Sequence, residues 1–292
     1  MIKKITLPAQ LKEVYKPPNG LYYKGNPNCL NKTCISIVGT RKYTEYGEFM
    51  TQKIIEELAV LDIAIVSGLA IGIDTIAHKT ALKFGIPTIA VLGSGLKNIY
   101  PKVNLNLAQE ITQDGLLVSE YEPETEPIGY NFPQRNRIIS GLSVATIVIE
   151  APEKSGALIT ARFALEQGRE IFVVPGDVDR TNSKGIINLL QRGGAYPITS
   201  GQDVIESLKI QPHLFPQEKS QEKSQEKSNQ PTYKFTTEEQ KIIDNMRKRR
   251  PITLEEIANK SSLRTERILA TLSMLEIKGL ISTKDGKYLR KC

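Results

Sequence analysis

Five glycine- or charge-bearing segments carry the residue types that could hold an anion: Gly39-Thr40-Arg41-Lys42, Ser67–Asp74, Gly93-Ser94-Gly95, Ala151–Ala157 and Pro175-Gly176-Asp177. A glycine lets backbone N–H groups come close to an anion, and a helix beginning at such a loop adds the positive end of its dipole. Taken one at a time, these glycines are equally well explained as ordinary turn residues. A sixth segment, Tyr130–Gly141, combines aromatic rings with Arg135, Arg137 and two asparagines. Rings plus cations suit a single-stranded nucleic acid, whose bases offer π-faces and whose backbone offers phosphates. The competing reading puts Phe132 in the core and pairs one arginine with Glu120 or Glu150.

Motifs for catalysis are missing. There is no G-x-G-x-x-G, since Gly93-x-Gly95 continues without a third glycine, and no G-x-x-x-x-G-K-[ST]. The chain has two histidines, His78 and His213, and no G-x-S-x-G to supply a nucleophile for either. His78, four residues after Asp74, reads as a helix-surface contact. Cys29 and Cys34 lack partner ligands for zinc and read as one loop and one strand cysteine. The expectation is therefore no catalytic residue, no metal and no cofactor.

These loops need a scaffold that brings them together. Short apolar runs at Cys34–Val38, Ala64–Ser67, Thr88–Leu92, Leu116–Ser119, Ala145–Glu150 and Glu170–Val174 alternate with segments of helical spacing such as Tyr46–Leu61 and Asp74–Phe84. Runs without polar alternation mean strands covered on both faces, hence an α/β fold with a parallel sheet. In such sheets ligands bind beyond the carboxyl ends of the strands, where all five loops fall.

The chain has 292 residues, is 40% hydrophobic and carries a net charge of +7. Residues 1–210 hold 22 basic against 21 acidic side chains, whereas residues 234–292 hold 14 against 8. Nearly all the excess thus belongs to the last 59 residues. Between them, residues 211–233 contain three QEKS units among prolines, with no means of burying an apolar face, and read as a flexible linker. No apolar run reaches the roughly 18–20 residues of a membrane span, and no signal-peptide pattern opens the chain. With three cysteines in all, a cytoplasmic location is expected.

Residues 234–292 read as three helices, Thr236–Arg247, Thr253–Lys260 and Arg264–Lys278, followed by a hairpin turning at Asp285-Gly286. The third helix takes Ile268, Leu269, Leu272, Leu275 and Ile277 as its apolar set. This is a winged helix. Arg264 and Arg267 at the start of its third helix and Lys287 on the wing are candidates for an accessory contact, to DNA or to a protein partner.

The ordered motifs Ser36–Arg41, Ser67–Asp74, Ala90–Gly95, Tyr100-Pro101-Lys102, Asn131–Ile139, Glu150–Arg162, Ala164–Arg169 and Val174–Gly176 closely resemble the DNA-processing protein A (DprA/Smf) family. The resemblance covers roughly residues 15–210. It implies an extended Rossmann-like domain that binds single-stranded DNA without cutting it, forms homodimers and helps load the RecA recombinase during natural transformation. Carried onto this chain, it implies DNA contacts by Gly39, Arg41, Ser67, Gly68, Lys102, Phe132, Arg135 and Asn136. The expected organisation is an N-terminal extension (1–33), the Rossmann-like single-stranded DNA-binding domain (34–210), the linker (211–233) and the winged helix (234–292). Many family members begin with a separate small helical domain, and only about 33 residues precede the first strand here. The alternative, a nucleotide-binding or nucleotide-cleaving Rossmann-like enzyme, would carry P-G-G-x-G-T-x-x-E, where this chain reads Glu-Lys-Ser-Gly-Ala-Leu-Ile-Thr (153–160).

Overall fold

In a computed structural model, the structure describes residues 1–210, 239, 242–243, 246, 252–261, 265–277, 281–284 and 287–290. The chain divides into two compact units, Met1–Glu218 and Lys219–Cys292. The QEKS tract, the first expected helix of the winged unit (apart from residues 239, 242–243 and 246), Arg264 and the Asp285-Gly286 turn lie outside the described residues.

All six expected strands form in the large unit. They are β3 (Thr33–Val38), β4 (Ile63–Ser67), β5 (Thr88–Val91), β6 (Leu116–Ser119), β7 (Ala145–Val148) and β8 (Glu170–Val173). They pair in parallel in the order β6-β5-β4-β3-β7-β8, with a short β9 (Tyr196–Pro197) parallel to β8 at one edge. The first 33 residues are built into the same sheet. β1 (Lys3–Ile5) and β2 (Leu21–Gly25) extend it antiparallel beside β6, giving nine strands.

Burial on both faces explains the unbroken apolar runs. Alternate residues Ile35, Ile37, Ile63, Ile65 and Ile147 pack under α2 (Glu45–Leu58), α3 (Ile73–Lys83) and α8 (Gly201–Leu208). Their neighbours Cys34, Val38, Ala64, Val66 and Val148 face α5 (Asn131–Leu142) and α6 (Gly156–Glu166). α4 (Leu105–Asp114) covers the β5–β6 side through Leu107, Ala108 and Ile111. Thr44 caps α2 by accepting from Gly47 N, and Ser200 with Asp203 forms a capping box on α8. Among the described residues no helix is long and apolar enough to cross a membrane.

The small unit contains α9 (Leu254–Ser261), α10 (Thr265–Ile277) and a sheet in the order β10 (Ile252–Thr253), β12 (Lys287–Arg290), β11 (Ile281–Lys284). The expected hairpin is present, and β10 adds a third strand that was not anticipated. Ile242, Ile257, Ile268, Leu272, Leu275 and Ile281 form its core. Leu269 is a correction: assigned to the apolar face, it is 42% exposed, because one residue beyond Ile268 turns it away from that core.

Candidate functional site

Strand order reverses between β3 and β7: β3 to β6 run outward to one side, β7 to β9 to the other. At that switch point the loops after β3, β4 and β7, with parts of those after β5 and β6, surround a cavity of about 620 Å³. Arg41, Tyr100, Phe132, Arg135, Lys154 and Gly156 are among its lining residues. All five glycine-bearing loops lie at the carboxyl edge of the parallel strands, as foreseen; three of them line this cavity, while Pro175-Gly176-Asp177 lines a separate cavity of about 290 Å³.

The floor of the larger cavity is built from buried polar groups. Arg135 is buried; its Nη1 donates to Gly68 O at 2.9 Å and also to Val91 O, and its Nε donates to Asn136 Oδ1 at 3.2 Å. Asp74 Oδ2 accepts from Gly68 N at 3.1 Å and Ala70 N at 3.4 Å. Burial pushes the Asp74 carboxyl up, and the Arg135 charge pulls it back. Burial likewise pushes Arg135 down, to about 10, against the opposing pull of Asp74. A Cβ on Gly68 would lie 2.7 Å from Asp74 Oδ2 and 2.8 Å from Arg135 Nη2, so this glycine makes room for the pair.

The other anticipated residues take distinct positions. Arg41 is exposed and lines the cavity. Lys102 is exposed two residues beyond Tyr100, outside the cavity wall. Phe132 is half-buried, 5.5 Å from Tyr100 between ring centroids at 53°, and seated on Gly93, where a Cβ would be 2.7 Å from its Cδ1. Asn136 Nδ2 donates to Gly156 O at 3.2 Å, tying α5 to the start of α6. Gly39 lines the cavity and leaves space for Ile73, whose Cγ1 would be 2.6 Å from a Cβ there. Ser67 is fully buried with its hydroxyl donating to Ile37 O at 2.7 Å, and it holds β4 to β3 from below the cavity. In the winged unit Arg267 is exposed on α10, and Lys287 stands on β12.

One alternative left open is resolved. Arg137 is the arginine that pairs with Glu120, through two bonds of 2.7 Å, while Arg135 turns toward the cavity. His78 is corrected: it is fully buried rather than on the helix surface. Thr88 Oγ1 donates to Ile65 O, so His78 Nδ1 carries the proton of the 2.7 Å contact with Thr88. Cys29 lies in a 3-10 turn and Cys34 on β3, both as free thiols.

Asn104 was not anticipated. It occupies the N-cap of α4 but does not cap it; its Nδ2 reaches Leu69 O at 2.9 Å and Thr75 Oγ1 at 2.8 Å. It thereby anchors the Tyr100–Lys102 rim to the loop after β4. An asparagine at a helix start reads as a cap, so no local signal reveals this role.

The profile of the DNA recombination-mediator protein A family matches residues 1–209, and that of the DprA winged helix domain matches residues 225–287. The chain belongs to the DNA recombination-mediator protein A family. It is 46% identical over 202 residues to DNA processing protein DprA of Bacillus subtilis (69% of this chain, 68% of that one). It is 35% identical over 284 residues to Protein Smf of Escherichia coli (97% and 74%). DprA of Streptococcus pneumoniae superposes with a TM-score of 0.68 at 42% identity, over 73% of this chain and 75% of that one. DNA processing protein A of Helicobacter pylori, described for its single-stranded DNA binding mode, gives 0.67 at 34% identity, over 73% and 97%. The Rossmann-like and winged-helix readings are thus those of the DprA family.

Proposed function

We propose that this chain is a non-catalytic single-stranded DNA-binding protein that protects incoming strands and helps load RecA onto them during natural transformation. It does so in the cytoplasm as a homodimer. The observation that carries the binding reading is the composition of the switch-point cavity: an exposed Arg41, a Tyr100–Phe132 aromatic pair and the Lys154–Gly156 start of α6 around one opening. Arg41 and Lys102 take phosphates, the first by a forked contact and the second as a point charge. Phe132 and Tyr100 offer base-stacking surface. The ligand of the Helicobacter pylori relative supports the same assignment.

The enzyme reading finds no support at the cavity. Among the described residues, the one carboxylate lining it, Asp74, is held by two backbone N–H groups beneath the wall, and Glu150 turns away to bond Thr44.

The test is the affinity of the full chain for single and double strands across a salt series. Single strands should bind more tightly, with a log–log slope of about −0.7 per phosphate engaged. Arg41→Ala and Lys102→Ala should each weaken binding roughly tenfold, as loss of a charge-assisted hydrogen bond does, without altering the circular dichroism spectrum. A preference for duplex, or salt-independent binding, refutes the reading. RecA nucleation on coated single strands, with and without the protein, tests the loading step, and an unchanged rate removes it.

A further inference from the structure

The loop carrying Arg41 is held on both sides of that residue by groups outside the cavity. On one side Thr40 N donates to Glu150 O at 2.8 Å, and Thr40 O accepts from Ile73 N at 3.2 Å. On the other, Lys42 O accepts from Asn182 Nδ2 at 2.9 Å. Two residues further on, Thr44 N and Oγ1 donate to the two oxygens of Glu150 at 2.9 and 2.5 Å. Asn182 and Glu150 also join each other: Asn182 Nδ2 lies 3.4 Å from Glu150 Oε2, and Asn182 O accepts from Ala151 N at 2.8 Å. Glu150 is buried, and the bare Cα of Gly47 makes its space, since a Cβ there would be 2.5 Å from Oε2.

This arrangement has a direction. The Arg41 side chain is exposed, so the backbone of its loop fixes where the guanidinium emerges. Asn182 and the Glu150 carboxylate line the smaller cavity, of about 290 Å³, and are absent from the wall of the larger one. A strand bound in the larger cavity would not touch Asn182. Any effect of Asn182 on binding must therefore pass through the loop. Asn182 is also well placed to matter: one amide holds the carbonyl that follows Arg41 and the carboxylate that holds Thr44.

We propose that Glu150 and Asn182 are positioning residues for Arg41, a two-sided clamp that sets the loop so that its guanidinium meets a phosphate. This rests on the reading of Arg41 as a phosphate contact.

The experiment uses the full chain and a fluorescent oligothymidine strand, titrated at several salt concentrations. Asn182→Ala should weaken binding roughly three- to tenfold, the worth of an ordinary hydrogen bond. Its salt slope should become shallower by about 0.7, as one phosphate contact is lost. The thermal midpoint should stay within about 2 °C of wild type, because the bond lies at the surface. Combined with Arg41→Ala, Asn182→Ala should add nothing, since the residue it positions is already gone. If Arg41→Ala binds like wild type, the reading of Arg41 falls and the clamp with it. If Arg41→Ala weakens binding but Asn182→Ala does not, or weakens it equally in both backgrounds, the clamp alone falls. Thr44→Ser and Thr44→Val provide a second comparison that spares Asn182. The serine keeps the hydroxyl bonded to Glu150 and should bind like wild type, whereas the valine should copy Asn182→Ala; equal binding by the two overturns the clamp.

Discussion

Replacing Glu120 by glutamine tests the claim that one of the two neighbouring arginines is structural. Arg137 makes two 2.7 Å bonds to the Glu120 carboxylate, and two of its other donors reach Lys16 O at 2.9 Å and Gln134 O at 3.1 Å. The pair therefore joins α5 to the loop after β6 and to the N-terminal segment, and it sits outside the cavity wall. The side chains are 9% and 15% exposed. Glu120→Gln conserves shape but removes the charge and turns an amide N–H₂ toward a guanidinium donor. Removing one member of a fully buried pair costs about 3–5 kcal/mol, and the residual exposure brings the expectation here to about 2–4 kcal/mol. Urea denaturation of the full chain, followed by far-ultraviolet circular dichroism, should show the midpoint of the main transition falling with an unchanged slope. Glu120→Leu combined with Arg137→Met should cost less than Glu120→Gln alone, because no charge is then left unpaired. The salt slope of DNA binding should not move in either variant. A Glu120→Gln protein within about 0.5 kcal/mol of wild type would refute the reasoning, since that is the worth of a solvent-screened surface pair. So would a double variant less stable than the single.

Two further outcomes follow from buried groups near the cavity. Gly93→Ala would push a methyl group into the Phe132 ring, costing about 1–3 kcal/mol by overpacking and weakening single-strand binding by moving the ring; unchanged affinity would show that the ring does not contact DNA. Burial pushes His78 down to about 3, helped by the Arg135 charge. Between that value and the ordinary value near 6.5 the unfolded chain binds the proton and the folded chain does not. Stability should thus fall as pH drops through this window, by about 1.4 kcal/mol per unit from this residue. His78→Asn, which retains a donor for Thr88 Oγ1, should flatten that slope relative to wild type in pH-dependent urea denaturation. The comparison separates His78 from Asp74, whose raised carboxyl works in the opposite sense. Parallel pH profiles for the two proteins would exclude a neutral buried imidazole.

What could be read from the sequence follows a physical rule. The parallel strands were legible because both faces are buried, which forces runs such as Ile63-Ala64-Ile65-Val66 to be apolar throughout. β1 and β2 were not, because an antiparallel margin half-open to solvent accepts Lys3, Lys4, Tyr22 and Lys24, and lysines protect an exposed edge. The loops of the cavity were legible from their glycines. The division of labour between Arg135 and Arg137 was not: two positions apart on one helix, they differ only in what the distant chain brings to each, Gly68 and Val91 in one case, Glu120 and Lys16 in the other. The clamp is hidden for the same reason, since Asn182 and Lys42 are 140 residues apart.

Charge shows where this limit bears on function. The +7 suggested a nucleic-acid partner, yet residues 1–210, which contain the cavity, are nearly neutral in sum. Three acidic groups close to the site are already engaged: Asp74 by Gly68 and Ala70, Glu120 by Arg137, and Glu150 by Thr44 and Asn182. Each is held by donors below or behind the wall, while Arg41 and Lys102 remain exposed at or beside the opening. The field an incoming strand meets at short range is set by which charges project, because screening removes more distant ones within about 10 Å at ordinary salt. A neutral domain can therefore bind a polyanion, provided its carboxylates are bonded inward.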